Sequence, residues 1–230
     1  MAPKQALEFY SEPLPGVDID ELQGKLIVIE GPDAVGRSTQ VARLHTWLER
    51  QGHAVLDTGL ARGALAGKGI QQAKEGNTLG PVTMTLFYAT DFADRLENEI
   101  IPSLRAGFVV LTDRYIFSLI ARAIARNEDR AWIERVAGFA LVPHAIYYLR
   151  ADVRELLTRV VFGRGVFDYW ESGMDMRFGA DMHDSFIRYQ TRVIRALDRM
   201  AKRYDFDVVD ATKTPDQIFK ELQRSIGKLL

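Results

Sequence analysis

The stretch Lys25–Leu44, KLIVIEGPDAVGRSTQVARL, constrains this chain more than any other. KLIVIE (25–30) is a short, continuous, β-branched run, the signature of a strand buried on both faces in a parallel sheet. Further on, Val41, Leu44 and Leu48 fall on one helical face, and that helix is expected to end near Gly52. Between strand and helix, Gly31 to Ser38 spells G-x-x-x-x-G-R-S. In this context glycines let backbone N–H groups curl around a polyphosphate, and the helix N-terminus adds a favourable dipole. Ser38 can place its hydroxyl on Mg²⁺. The bland alternative is a glycine-containing turn with no ligand; strand, spacing and Ser38-Thr39 together argue against it.

Arg37 occupies the position where this pattern carries lysine. Lysine is a compact point charge, whereas guanidinium is planar, wider and always charged. Arginine still binds phosphate, even bidentately. Charge is kept and geometry is not, so binding is expected to survive the exchange better than turnover.

The alternation recurs along the chain. HAVLD (53–57), FVVLT (108–112), AIYYL (145–149) and FDVVD (206–210) read as further strands. Helical patterns cover 81 to about 106, with Phe92, Leu96, Ile100 and Leu104 each four apart and Pro102 expected to bend the second part. Others run over 115–126, 130–141, 152–162 and 182–203, and a last one carries Ile218, Leu222, Ile226 and Leu229. Five short apolar strands, each followed by helix, predict one α/β domain over 24–230: a five-stranded parallel sheet flanked by helices, with right-handed crossovers. Residues 1–23, with Pro3, Pro13, Pro15 and Gly16, read as an N-terminal extension packing on that domain. A Gly-rich segment spans 59–80, and residues 163–181, GRGVFDYWESGMDMRFGAD, mix glycines, charges and aromatics in the manner of a mobile lid.

A net charge of −1 gives no bulk attraction to nucleic acid or an anionic membrane, so any anion site must be local. The absence of cysteine excludes disulfides and thiolate metal sites. No apolar run reaches the roughly 20 residues that span a bilayer, and the N-terminus has neither a signal core nor an Arg-rich pattern. A soluble, cytoplasmic protein is the expectation. His45, His53, His144 and His183 lack metal-ligand spacing, while Trp47 and Trp132 read as packing residues.

At the end of the third strand, TDRYIFS places Asp113 and Arg114 at the carboxyl edge of the sheet, where open α/β folds bind ligands. Such a pair can serve Mg²⁺ and clamp a phosphate, or can be a structural strand-end ion pair.

Taken together, the phosphate loop, LFYATDFADRLENEIIPSLRAGFVVLTDRYIFS (86–118) and VVDATKTPDQIFKEL (208–222) resemble the thymidylate kinase family of nucleoside monophosphate kinases, over most of the chain from about Lys25. The resemblance implies the P-loop nucleoside triphosphate hydrolase fold and transfer of the ATP γ-phosphoryl group, with Mg²⁺, to dTMP or a related nucleotide. It also implies a homodimer. On its pattern Gly31, Ala34, Gly36, Arg37, Ser38, Thr39 and Ala211 meet ATP. Ser38 and Asp113 serve the metal, and Arg37, Asp113, Arg114 and Arg164 serve catalysis, with Arg159 and Arg164 both candidates for the lid arginines that neutralise transferring charge. Phe87 falls where the family stacks the acceptor base, Arg114 on its acceptor-phosphate arginine and Asp33 on the acid meeting the acceptor sugar. Asp168 and Glu171 line up with the lid's acidic pair, with Trp170 between them, and Arg62 is a further phosphate contact.

Phe92 aligns with the family's base-reading arginine, and it also continues the apolar stripe of Leu96 and Ile100. Leu119 and Arg122 stand where a polar residue and a tyrosine meet the acceptor. Apolar contacts do not replace lost hydrogen bonds in base discrimination, so a remodelled acceptor side is expected. An impaired nucleotide-binding relative, or a kinase for another phosphorylated small molecule, are the alternative readings.

Overall fold

Strand Lys25–Glu30 (β1) lies at the centre of the molecule because both of its faces are apolar: Leu26 through Ile29 are fully buried. In the computed structural model, which describes residues 7–76 and 79–230, β1 is flanked by parallel strands in the order β2-β3-β1-β4-β5. The others are Val55–Gly59 (β2), Val109–Asp113 (β3), Ala145–Arg150 (β4) and Asp207–Asp210 (β5). Ile29 pairs with Asp113 on one side and Tyr147 on the other, so the ends of β1 and β3 share one edge. The chain has the P-loop nucleoside triphosphate hydrolase fold, an α/β sheet flanked by helices.

Alternate β1 residues feed two cores. Ile27 and Ile29 pack with Val41, Leu44 and Leu48 of helix Arg37–Arg50 (α1) and with Ile218, Leu222 and Ile226 of the C-terminal helix. Leu26 and Val28 face the opposite layer, built from Pro81–Arg95 (α3), Ile116–Ala125 (α5) and Met182–Arg203 (α8). Between α1 and α3, Gly67–Gly76 (α2) interrupts the segment expected to be merely Gly-rich. Arg130–Val136 (α6) and Val153–Arg159 (α7) follow α5 and β4. The C-terminal helix, Pro215–Leu229 (α9), opens with Pro at its first turn and a reciprocal Thr214–Gln217 capping box.

Some boundaries differ from the sequence reading. β2 runs two residues later than HAVLD, because the His53 N–H closes α1 on Leu48 O at 3.1 Å and pairing with β3 begins at Val55. Helix α3 ends in a widened π-type turn, Leu96–Ile100, before the short helix Ile101–Arg105 (α4). The ring of Pro102 would clash with the carbonyl four residues back, and the widened turn accommodates it. Helix α6 stops at Val136, short of Leu141, because residues 140–142 bond the N-terminal arm: Tyr10 N–H to Ala140 O at 3.0 Å, Val142 N–H to Glu8 O at 2.7 Å. Beyond α7 a π-type turn, Val160–Arg164, leads into residues 165–181, whose only helical piece is the turn Met174–Met176.

Candidate active site

The loop after β1 is shaped by two glycines. Gly31 has φ +155°, and a Cβ there would lie 2.7 Å from Leu149 O; Gly36 caps α1 at φ +99°. Behind them Ser38 Oγ donates to Asp113 Oδ2 at 2.8 Å. The Arg37 side chain folds inward: Nε donates to Asp113 Oδ1 at 2.8 Å, and Nη1 donates to Gly31 O at 2.7 Å and to Pro32 O. Burial alone would raise the Asp113 carboxyl, but Arg37, Arg114 and the Ser38 hydroxyl outweigh it and hold it below its ordinary value. Arg62 stands nearby, 3.1 Å from Asp57 and 3.6 Å from Asp113. Arg159 of α7 bridges the two ends of this edge, with Nη1 on Val35 O at 2.7 Å and Nη2 on Ala211 O at 2.5 Å. Ala34 adopts φ +62°, and Ser38 and Thr39 are exposed at the start of α1.

The other half of the site is centred on Asp33, buried beside the same loop. Its Oδ1 accepts from Arg114 Nη2 and, at 3.0 Å, from Arg122 Nη2; its Oδ2 accepts from Gln190 Nε2 at 3.0 Å. Burial opposes ionisation, yet Arg114, Arg122 and Arg37 hold the Asp33 carboxyl well below the usual carboxylate range. Burial, and then the Arg37 charge, bring Arg114 down to about 10. Burial also opposes the Arg122 charge, but Asp33 and the Tyr88 and Tyr189 phenols more than offset it and push that guanidinium up.

Arg114 pays for its position with a left-handed backbone, φ +73°. Such a conformation costs about 1–3 kcal/mol in a non-glycine residue and persists only when its surroundings over-determine it. Here Arg114 N–H bonds Ile29 O at 3.1 Å and Thr112 Oγ1 donates to Arg114 O at 2.7 Å. Glu30, fully buried, accepts from Tyr115 N–H at 2.8 Å, Ser118 N–H at 3.1 Å and Ser118 Oγ at 2.7 Å, and so caps α5 from the end of β1. Burial pushes the Glu30 carboxyl up, only partly offset by Ser118 and Arg114.

From Asp33 the site opens into a narrow pocket lined by Lys74, Met84, Tyr88, Arg122, Arg126, Trp170, Glu171 and Tyr189. Trp170 reaches α2 through Nε1 to Lys74 O at 2.8 Å. Asp168 accepts from Trp170 N–H at 2.9 Å and Glu171 N–H at 2.8 Å, which folds the turn presenting Trp170. Arg126 ties this segment to α5, with Nε on Asp175 Oδ2 at 2.8 Å, Nη2 on Trp170 O at 3.1 Å and Nη1 on Tyr189 OH.

One acceptor-side expectation is corrected by these placements. Phe92 is wholly buried, edge-to-face with Tyr115 at 4.9 Å, and offers no surface to a ligand; its place is on the apolar stripe. Phe87 is turned toward Gly69 of α2, and its neighbour Tyr88 lines the pocket. One residue is about 100° on a helix, so a one-position slip exchanges these rings. Leu119 is likewise core. The Arg164 side chain lies outside the described residues. Glu30, Tyr88, Tyr189 and Gln190 were absent from the sequence reading of the site; for Glu30 the signal was there, a lone acid closing an apolar strand.

A phosphate loop that faces an arginine-lined pocket across one shared carboxylate is the arrangement of a P-loop kinase, which must hold two phosphorylated ligands at once. The profile described as Thymidylate kinase matches residues 29–222. A probable thymidylate kinase 2 of Saccharolobus solfataricus is 33% identical over 210 residues, covering 91% of this chain and 96% of its own length. The thymidylate kinase of Bifidobacterium longum subsp. infantis is 31% identical over 222 residues, 91% of this chain and 88% of its own, and that of Clavibacter sepedonicus 35% identical over 170 residues, 71% and 78%. The chain belongs to the thymidylate kinase family. It is an ATP-dependent phosphotransferase whose substrates are ATP and a nucleoside monophosphate.

Proposed function

We propose that this kinase transfers the ATP γ-phosphoryl group to dTMP or a closely related monophosphate. The observation that carries the reading is Asp33: a carboxylate of the phosphate loop itself holds Arg114 and Arg122 of the facing wall, so donor and acceptor halves meet there. In this reading the N–H groups between Gly31 and Ser38 hold the donor phosphates, and Arg37 supplies positive charge beside them. Arg114 takes the acceptor phosphate, and Tyr88 and Trp170 sandwich its base. Ser38 and Asp113 are hard oxygen donors that suit Mg²⁺, which keeps waters and bonds phosphate oxygens besides one or two protein groups. When bound, the ion would neutralise charge developing on the phosphates. The protein contributes positioning and electrostatics, with residues 163–181 as a lid that excludes water.

The relatives' names support thymidylate as acceptor. No helix among the described residues is long and apolar enough to cross a membrane, in keeping with a cytoplasmic enzyme. Val82 and Leu86, exposed on α3, offer an apolar face for a homodimer. A coupled assay for ADP across the nucleoside monophosphates tests the reading: ADP release that depends on dTMP or a related acceptor is expected. Nucleotide binding without ADP formation from any acceptor would instead assign a non-catalytic binding protein.

A further inference from the structure

Residues 60–66, between β2 and α2, are held by carboxylates of α3. Asp91 is fully buried; its Oδ2 accepts the Ala61 N–H at 2.7 Å and its Oδ1 the Gly63 N–H at 2.8 Å. Asp94, one turn on, takes the Leu65 N–H at 3.1 Å. Three alternate amides thus end on one helix. Ala61 is kept at φ +63°, a left-handed backbone that a non-glycine residue holds only when its surroundings impose it. A Cβ on Gly63 would lie 2.8 Å from Asp91 Oδ1, so the close approach requires glycine. Arg62, between the two amides that Asp91 takes, reaches the sheet instead, with Nη1 3.1 Å from Asp57 Oδ1 and Nη2 3.6 Å from Asp113 Oδ2.

As a source of stability this anchor is poor. Asp91 is paired with Arg95, Nε to Oδ2 at 3.1 Å, and both side chains are wholly excluded from solvent. Among the described residues Arg95 Nη1 and Nη2, both buried, have no hydrogen-bond partner. Unmet buried donors are costly, and apolar residues of similar volume commonly serve as well as a buried ion pair or better. What an apolar pair cannot do is accept two backbone N–H groups. Asparagine at position 91 could not either, because its amide has one acceptor oxygen and would turn its NH2 on the second N–H. The arrangement therefore calls for a carboxylate, with Arg95 as its counter-charge.

We infer that Asp91 is a positioning residue for phosphoryl transfer: by holding the Ala61 and Gly63 amides it sets Arg62 beside Asp113, where that guanidinium meets a phosphate of the bound nucleotides. This rests on the kinase reading above for what Arg62 meets. Asp91, wholly buried, acts only through Arg62.

The test is a double-mutant cycle on phosphoryl transfer from ATP to dTMP, with Arg62→Ala, Asp91→Asn and the two combined. Losing a charge-assisted contact corresponds to about 10- to 100-fold, so Arg62→Ala should lower kcat/KM for dTMP by a factor in that range. Asp91→Asn should approach the same loss. The combination should then match Arg62→Ala alone within about twofold, since independent effects multiply and dependent ones do not. The pair Asp91→Leu with Arg95→Met removes both charges and leaves neither uncompensated. It should fold, and show the same loss with the same dependence on Arg62. Factors that multiply in the combined variant overturn the inference, as does an unchanged kcat/KM in either single variant or in the apolar pair. Failure of both Asp91→Asn and the apolar pair to fold overturns it too, because the carboxylate would then serve the fold. Transfer to dTMP with multiplying factors would sink the positioning role and leave the kinase reading standing. If the wild type binds dTMP without transferring to it, the kinase reading fails, and the cycle is read on the calorimetric dissociation constant of dTMP. Non-additive losses there would sustain the positioning role, and multiplying ones would end it. A wild type that neither binds dTMP nor transfers to it would end both.

Discussion

Arg37 and Asp113 are joined side chain to side chain, Nε to Oδ1 at 2.8 Å, while the other Asp113 oxygen takes the Ser38 hydroxyl. Both oxygens of the carboxylate proposed to serve Mg²⁺ are thus committed, one of them to the residue that replaces the usual lysine. For Arg37 to follow the donor phosphates it must leave Asp113 and the carbonyls of Gly31 and Pro32. Arg37→Lys removes that fork but keeps the charge. Its kcat is expected to rise about tenfold, the equivalent of one charged hydrogen bond not broken on the way to the transition state. Its half-saturating Mg²⁺ concentration should fall. Arg37→Met should lose at least about a hundredfold in kcat. Steady-state kinetics at several Mg²⁺ concentrations decide it, and a slower lysine variant would mean that the site is fitted to guanidinium.

Phe92 gives the converse case, a residue expected to matter for folding and not for the acceptor. Its ring is buried between Tyr115 and Phe139. Truncating a core phenylalanine to alanine costs about 3–5 kcal/mol. Phe92→Ala should therefore lower the urea midpoint strongly while the acceptor KM, measured well below the unfolding transition, stays within about twofold. A stable variant with a much higher KM would return Phe92 to the acceptor site.

What was legible in the sequence is what is local. KLIVIE declares a doubly buried strand by composition alone, and GPDAVGRS declares its loop by glycine spacing. The five strands and their parallel order of use follow from the same logic, because each is a short apolar run followed by a helix. The ends of β2 were not legible, since they are fixed by pairing with Val109–Asp113 and not by the residues themselves. Helix α2, rich in glycine, is secured by Ile70 in the core and by the long-range bond from Trp170 to Lys74. Gln190 joins the site 157 residues from Asp33, and Glu30 caps a helix 85 residues away. No spacing rule connects such partners.

His144 makes the stability of the fold sensitive to mild acid. Its Nδ1 accepts the Leu26 N–H at 3.0 Å, which ties the start of β1 to the start of β4. Burial, and then the nearby Lys25 charge, bring the imidazole down to about 4. An unfolded chain protonates its histidines near pH 6.5. Between about pH 6.5 and 4 the unfolded state therefore binds more protons, and stability falls as pH falls through that window. The Asp33 contribution has a separate range: its carboxyl is depressed, so the stabilisation is present above the ordinary carboxylate pKa of about 4 and is lost below it. Urea unfolding at a series of pH values should show the first slope in the wild type and a flatter one in His144→Gln. An unchanged slope in the variant would assign the acid sensitivity to another group.

Arg126 and Asp175 are expected to control whether the pocket is closed. Both are largely buried, and the pair is bidentate, with Nε to Oδ2 at 2.8 Å and Nη2 to Oδ1 at 3.2 Å. Arg126 is also the bond between Trp170 O and the Tyr189 hydroxyl, so one side chain joins α5, α8 and the segment carrying the pocket's tryptophan. Removing one partner of a buried ion pair costs about 3–5 kcal/mol because the other is left uncompensated. Residues 165–181 have little regular structure of their own, so the loss should appear as local opening before global unfolding. Arg126→Gln is therefore expected to speed proteolytic cleavage within 163–181 markedly while the melting temperature falls by less than a global loss of that size would require. Acceptor affinity should weaken in proportion to the closed fraction. Asp175→Asn should act in the same direction. The double variant should be milder than the sum of the two, since the members of a contacting pair couple by about 0.5–3 kcal/mol. Full additivity in the double cycle, or unchanged cleavage in both single variants, would show that the pair does not latch this segment.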